Sequence, residues 1–273
     1  MMPDTAAPLL LVGGGKMGEA LLAGWLAHGL SPAAAVVVEP AAARRAELAA
    51  GHGVLAVERP EELPMELRPG VLVLAVKPQM MDAALPAYRH RVGPGTLALS
   101  IAAGKGLASL EAGLGGIGVV RAMPNTPAAI GRGVSVLCAN AAATKAQRGL
   151  AARLMAAVGS VEWIEDEDLM HAVTAVSGSG PAYVFHLIEA LAEAGTAAGL
   201  PPELAMRLAR GTVAGAGELA GRAAEPAAQL RVNVTSPGGT TAAALAVLMA
   251  ADGLEPLLTR AVQAAAERSR ALA

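Results

Sequence analysis

Leu9-Leu10-Leu11-Val12-Gly13-Gly14-Gly15-Lys16-Met17-Gly18-Glu19-Ala20-Leu21-Leu22 runs from an apolar stretch through a cluster of glycines into an Ala/Leu-rich segment. That order predicts a β-strand, a tight turn and a helix, with Gly13, Gly15 and Gly18 at the spacing of a dinucleotide-binding fingerprint. Each glycine answers a different need. Gly13 permits the turn, Gly15 lets a pyrophosphate approach the backbone, and Gly18 lets the helix pack closely on the strand. A plain glycine-rich strand-to-helix connection has the same local look, so the rest of the chain has to decide.

Further along, β-branched runs at residues 36–39, 71–76, 97–101, 119–122 and 134–138 alternate with helical Ala/Leu-rich stretches. Such alternation predicts a parallel, doubly wound sheet. After Val161-Glu162-Trp163-Ile164 the β pattern stops, and only helical segments punctuated by Gly and Pro follow. The expected architecture is an N-terminal Rossmann-like dinucleotide-binding domain over residues 1–163 and an all-helical C-terminal domain over residues 164–273. A helix is expected over residues 181–198, with Pro181 inside its start and Gly199 near its end. Its apolar residues run almost all round, which predicts burial, in part against another subunit.

With 273 residues, 54% of them hydrophobic, the chain can bury the cores of two domains. A net charge of -2 and 2% aromatic residues provide neither a basic field nor stacking platforms, so no nucleic-acid partner is expected. The five histidines show no metal-ligand spacing, and no metal is expected. Cys138 is the only cysteine, which excludes an intrachain disulfide and fits a reducing, cytoplasmic setting. Met1-Met2-Pro3-Asp4 carries no basic leader, and no run is long and uncharged enough to span a membrane.

Glu39 closes the second strand about twenty residues after the glycines, where a carboxylate would accept from ribose hydroxyls and favour NADH. Arg44 and Arg45 follow it; either would suit the 2′-phosphate of NADPH, or both belong to the solvated face of the next helix. The signals oppose each other and lean towards NADH. Val76-Lys77-Pro78-Gln79 ends another strand at the edge where open α/β sheets bind ligands, which makes Val76, Lys77 and Pro78 cofactor candidates. Ala102 and the segment Met123-Pro124-Asn125-Thr126-Pro127 end later strands in small or rigid residues, leaving room and fixed backbone beside a nicotinamide.

Val234-Thr235-Ser236-Pro237-Gly238-Gly239-Thr240-Thr241 precedes an apolar run over residues 242–251. It reads as a helix N-terminus that holds a carboxylate or phosphate, with cap hydroxyls from Ser236 and the threonines and first-turn N–H groups without intrahelical partners. A capped helix after a Pro-Gly turn is the simpler alternative.

Taken in order, Gly13-Gly14-Gly15-Lys16-Met17-Gly18, Val76-Lys77-Pro78-Gln79, Arg121-Ala122-Met123-Pro124-Asn125-Thr126-Pro127, Ser177-Gly178-Ser179-Gly180-Pro181-Ala182-Tyr183 and Thr235-Ser236-Pro237-Gly238-Gly239-Thr240-Thr241 closely resemble the pyrroline-5-carboxylate reductases along essentially the whole chain. The resemblance implies NADH- or NADPH-dependent reduction of 1-pyrroline-5-carboxylate to L-proline, the last step of proline biosynthesis. It also implies a homodimer through the C-terminal helices, in many members assembled further. By the same resemblance the substrate carboxylate sits on backbone amides around Gly239, Thr240 and Thr241 with help from Ser236 and the Gly238 turn. The Thr241 hydroxyl points to the ring nitrogen and is the catalytic candidate, while Gly13, Gly15, Lys16, Met17, Gly18, Glu39, Val76, Lys77, Pro78, Ala102, Asn125 and Pro127 form the cofactor set. Lys16 and Gly18 depart from the Asn and Ala common in the family, which bears on pyrophosphate contacts. Two alternatives are weighed. A β-hydroxyacid dehydrogenase needs a catalytic lysine in the helix after the glycine-rich segment, yet the last lysine is Lys145. A non-catalytic nicotinamide-binding sensor would not need the Ser236 to Thr241 junction.

Overall fold

A computed structural model describes residues 7–272; the reading of Met1-Met2-Pro3-Asp4 and the final residue, Ala273, lie outside them. The chain divides into two compact units, one running to Gly178 and taking in the last turns from Ala266, the other Ser179–Ala265.

In chain order the first unit contains β1 (Leu9–Val12), α1 (Lys16–Ala27), β2 (Ala35–Val38), α2 (Ala42–His52), β3 (Leu55–Val57), β4 (Val71–Leu74), α3 (Pro78–Ala84), β5 (Leu97–Ser100), α4 (Leu107–Leu114), β6 (Gly118–Met123), β7 (Gly133–Ala139), α5 (Lys145–Ala156), β8 (Gly159–Trp163) and α6 (Met170–Val173), ending in a π-helical turn, Thr174–Gly178. The strands form one sheet in the order β3-β2-β1-β4-β5-β6-β7-β8. Strands β1 to β6 are mutually parallel, and Val12 sits beside Val38 and Leu74, with Leu74 beside Ser100.

Both faces of the sheet are covered, which is why these strands read as unbroken apolar runs. Leu9, Leu11, Val37, Val73 and Leu99 face one core with Trp25 of α1, Leu48 of α2 and Leu154 of α5. Leu10, Val12, Val36, Leu72 and Ala98 face the other with Met81, Tyr88 and Leu110. Trp25 is fully buried and its indole N–H donates to the Leu154 carbonyl at 2.9 Å, so α1 and α5 are tied beneath the same face.

The sheet differs from the expected one in two places. β7 runs antiparallel to β6, because the connection 124–132 is shorter than the dozen or so residues a parallel crossover needs. Edge strand β3, three residues long with Leu55 half exposed, was not among the expected runs, while β8 coincides with the last β stretch before the helical segments and alternates as an edge strand does.

Strands end at Trp163, but the compact unit continues to Gly178, since residues 164–178 are bonded to it. Glu167 pairs with Arg121 of β6 and accepts from the Leu107 amide at 2.7 Å; the Asn125 side chain donates to the Ser177 carbonyl at 3.1 Å.

The second unit is helical: α7 (Gly180–Ala197), α8 (Pro202–Arg222), α9 (Ala227–Asn233), α10 (Thr240–Leu248) and the first part of α11 (Leu254–Ala271). Pro181 lies inside the start of α7, as expected, and Gly199 follows its end with a left-handed backbone. The expected burial of this helix is not met within one chain. Only Ala192 of α7 is buried, whereas Phe185 is 59% exposed and Val184, Leu187 and Leu191 are exposed beside it. Among the described residues no helix is long and apolar enough to cross a membrane.

Candidate active site

The order of the sheet reverses between β1 and β4, and in open α/β sheets the ligand crevice lies outside the carboxyl ends of the strands at that point. The fingerprint is there. Gly13 leaves β1 with φ +98°, and a side chain on it would press on the Ala75 carbonyl oxygen at 2.7 Å, so the turn is closed to any other residue. A side chain at position 18 would meet the Gly13 carbonyl oxygen at 2.3 Å, which is the close helix-to-turn approach expected of Gly18. Around Gly15 no atom lies within 4 Å of where a side chain would begin, and it forms the N-cap of α1 with no side chain capping it. An open, uncapped helix N-terminus approached by bare backbone fits a pyrophosphate. Lys16 is exposed at the first helical position, and Met17 packs partly into the core.

The parallel register brings the other cofactor candidates to the same edge. Val76 is partly buried and Lys77 is exposed as the N-cap of α3, with Pro78 in the first turn. Ala102 is buried after β5, and Pro127 lies in a 3₁₀ helix, Thr126–Ile130, after β6. Asn125 is committed inside the unit: only 9% exposed, it accepts from the Val134 amide at 2.9 Å while donating to Ser177. Its side chain therefore joins the start of β7 to the π turn, and only its backbone is left for a ligand.

Glu39 stands beside the turn. Its Oε2 accepts from the Gly14 amide at 2.8 Å and its Oε1 from the Ala41 amide at 2.9 Å. The two arginines are not a free solvated face. Arg45 donates to the Glu39 and Pro40 carbonyls and pairs with Glu58 at 3.2 Å. Arg44 donates from Nε to the Gly14 carbonyl at 2.7 Å and pairs with Glu19 at 2.5 Å and Glu47 at 3.0 Å. The hydrogen bond from Arg44 holds the Glu19 carboxyl below the usual carboxylate range. Sequence reasoning missed Gly14, Glu19 and Arg44 as one group, because their separations along the chain carry no periodic signal. The third glycine of the turn was the available clue: a side chain at position 14 would strike the buried Leu48 at 2.2 Å.

In the helical unit the junction before α10 is the other open helix start among the expected site residues. Gly238 has φ +69°, so the chain turns sharply after Pro237, and Gly239 follows in an extended conformation as the N-cap. The expected cap hydroxyls are not used. No side chain caps α10, the Thr235 hydroxyl donates to the Arg231 carbonyl at 2.6 Å, and Ser236 contributes its carbonyl, which accepts from the Gly239 amide at 3.0 Å. Placing glycine at the N-cap, three residues after Ser236, is the reason. The Gly239 amide is thereby spent. The first helical bond comes from Ala243 to the Gly239 carbonyl, leaving the amides of Thr240, Thr241 and Ala242 without intrahelical acceptors. Thr241 is half-buried in the first turn. The arrangement can hold a carboxylate on amides with a hydroxyl at one side.

Burial pushes the Cys138 thiol up, which makes it a poor nucleophile, and among the described residues no cluster of His, Cys, Asp and Glu could hold a metal ion.

Residues 167–272 match the family model for pyrroline-5-carboxylate reductase dimerisation, and residues 9–104 that for NADP oxidoreductase, coenzyme F420-dependent. The chain is 43% identical over 266 residues to a pyrroline-5-carboxylate reductase of Pseudomonas aeruginosa, covering 97% of this chain and 96% of that one. It superposes with a TM-score of 0.92 on a pyrroline-5-carboxylate reductase from Coxiella burnetii, at 35% identity, covering 98% and 99% of the two chains. A pyrroline carboxylate reductase from Plasmodium falciparum with NADP bound is similar over 100% of this chain and 99% of that one, with a TM-score of 0.83 and 29% identity.

Proposed function

Because the chain belongs to the pyrroline-5-carboxylate reductase family, we infer that it reduces 1-pyrroline-5-carboxylate to L-proline by hydride transfer from NADH or NADPH, the last step of proline biosynthesis. The observation that carries this reading is the presence, in one chain, of an open glycine turn at the switch point of the sheet and of an uncapped α10 that carries Thr241 in its first turn.

Reduced nicotinamide, when bound, supplies the hydride for the imine carbon. Gly13, Gly15, Lys16, Met17 and Gly18 would hold its pyrophosphate, Glu39 its adenosine ribose, and the segments at Val76-Lys77-Pro78, Ala102 and Asn125 to Pro127 the nicotinamide half. The substrate carboxylate would sit on the amides of Thr240 and Thr241, shaped by the Gly238-Gly239 turn, with Ser236 at its rim. Charged hydrogen bonds of this kind contribute about 1.5–3 kcal/mol each and fix the ring in place. Thr241 would bond the ring nitrogen. A threonine hydroxyl is too weak an acid to supply the proton unaided, so the imine would bind already protonated with Thr241 orienting it; hydride addition then leaves the neutral amine, which takes its further proton from water.

The chain forms a homo-oligomer. We assign the interface to residues 164–273, the helical domain that would also bind substrate, on the strength of its exposed apolar residues, with a higher oligomer of dimers as the extended form. The single buried cysteine and the net charge suit a cytoplasmic enzyme.

Supplying purified protein with NADH or NADPH tests this reading: cofactor is consumed only when 1-pyrroline-5-carboxylate is present, and L-proline accumulates in equal amount. Cofactor binding without turnover would leave a sensor in place of an enzyme.

A further inference from the structure

Gly14, between the two fingerprint glycines already discussed, is gripped from both sides. Its amide donates to Glu39 Oε2 at 2.8 Å and its carbonyl accepts from Arg44 Nε at 2.7 Å. The second contact has a geometric consequence. In a trans peptide the carbonyl and the following N–H point in opposite directions, so a Gly14 carbonyl turned to Arg44 turns the Gly15 N–H away from it. Gly15 is where the backbone is open, with no atom within 4 Å on its side-chain side.

Arg44 spends three of its five N–H donors on its own unit. Nε holds the turn, one terminal nitrogen pairs with Glu47 at 3.0 Å, and the other with Glu19 at 2.5 Å. Its charge is balanced by carboxylates of its own unit, and the fork geometry of the guanidinium serves three separate acceptors at once. Glu19 is further braced by His52 at 3.4 Å. An arginine in this position after β2 invites reading as a ligand of the 2′-phosphate, yet none of its three nitrogens is without a protein acceptor.

We propose that Arg44 is a positioning residue of the cofactor turn, setting the Gly14–Gly15 peptide so that the Gly15 amide meets the pyrophosphate, and that it serves NADH and NADPH alike. The proposal rests on the reading of the glycine turn as the dinucleotide site. It separates two jobs along α2 and its approach: Glu39 discriminates between cofactors, and Arg44 sets the affinity for both.

The test is titration of both reduced cofactors against wild type, Arg44→Met, Arg44→Lys and Glu19→Gln by nicotinamide fluorescence, with steady-state kinetics at saturating cofactor. Arg44→Met should weaken NADH and NADPH by the same factor, about three- to thirtyfold, while kcat and the KM for the imine stay within about twofold. Arg44→Lys should fall between, since one ammonium cannot serve three acceptors in fixed directions. Glu19→Gln should weaken both cofactors together and less. Loss of NADPH affinity alone would overturn the proposal and make Arg44 a 2′-phosphate ligand. Unchanged affinity for both would overturn it too, leaving an ordinary ion pair. A changed imine KM or kcat would show a general loss of structure instead of a positioning role. Failure of the wild type itself to bind either cofactor would instead sink the reading of the turn, a result visible before any variant is compared.

Discussion

Thr241→Val keeps the shape of the side chain and removes only its hydroxyl. On the proposed reading the amides of Thr240 and Thr241 would grip the carboxylate equally in ground and transition states, and such uniform binding acts on KM. A hydroxyl on the imine nitrogen meets a charge that changes as hydride arrives, so Thr241→Val should lower kcat by roughly ten- to a thousandfold, with Thr241→Ser retaining more activity. A raised KM at unchanged kcat would make Thr241 a carboxylate ligand only. Glu39→Ser should raise the use of NADPH relative to NADH by removing a charge that repels the 2′-phosphate. It should also raise the KM for NADH, because the Gly14 and Ala41 amides lose their acceptor. An unchanged ratio would assign the choice to the main chain. At this scale the sequence was legible where a residue works through its own backbone, as Gly13 and Gly238 do. Residues that work through partners were not: Arg44 lies thirty positions from Gly14 in the chain, and only the fold joins them.

The elements were legible to the extent that burial shaped them. β1, β2, β4 and β5 are covered on both faces and read as apolar runs, whereas β3, short and at an edge, leaves almost no pattern. The antiparallel β7 was illegible because a strand's own residues do not record its direction; the short connection before it does. At α10 the helix start was legible but its cap was not, since Ser, Thr and Gly all suit an N-cap and the Pro237-Gly238 turn chooses among them. Gly238→Ala tests the element. Forcing a side chain into φ +69° costs about 1–2 kcal/mol and disturbs the amides after it. The KM for the imine should rise several-fold with the KM for NADH unchanged, as measured by varying each reactant at saturating levels of the other. A rise in the cofactor's KM alone would remove the α10 junction from the substrate site.

The whole molecule carries its apolar surface unevenly. Trp25, Tyr88 and the residues of β1, β2, β4 and β5 are buried, while in the helical unit Phe185, Leu208, Val247 and Leu257 are half or more exposed. That exposed apolar surface supports the interface proposed for the helical unit. Light scattering at micromolar concentration should therefore find no monomer, and Phe185→Glu should produce one; an active wild-type monomer would contradict the assigned interface. The expected two-part organisation was legible because strand periodicity ends abruptly after Trp163, but the attachment of residues 164–178 to the first unit depends on Glu167 and Ser177 reaching Arg121 and Asn125, which spacing does not reveal. Hydride moves from the nicotinamide to the imine carbon of 1-pyrroline-5-carboxylate, and turnover with NADH deuterated on the transferred position, followed by mass and NMR analysis of the product, follows that hydride itself. L-proline should carry one deuterium on the ring carbon beside nitrogen that is not the carboxylate-bearing one. Oxidised cofactor without labelled proline, or unlabelled proline, would contradict it.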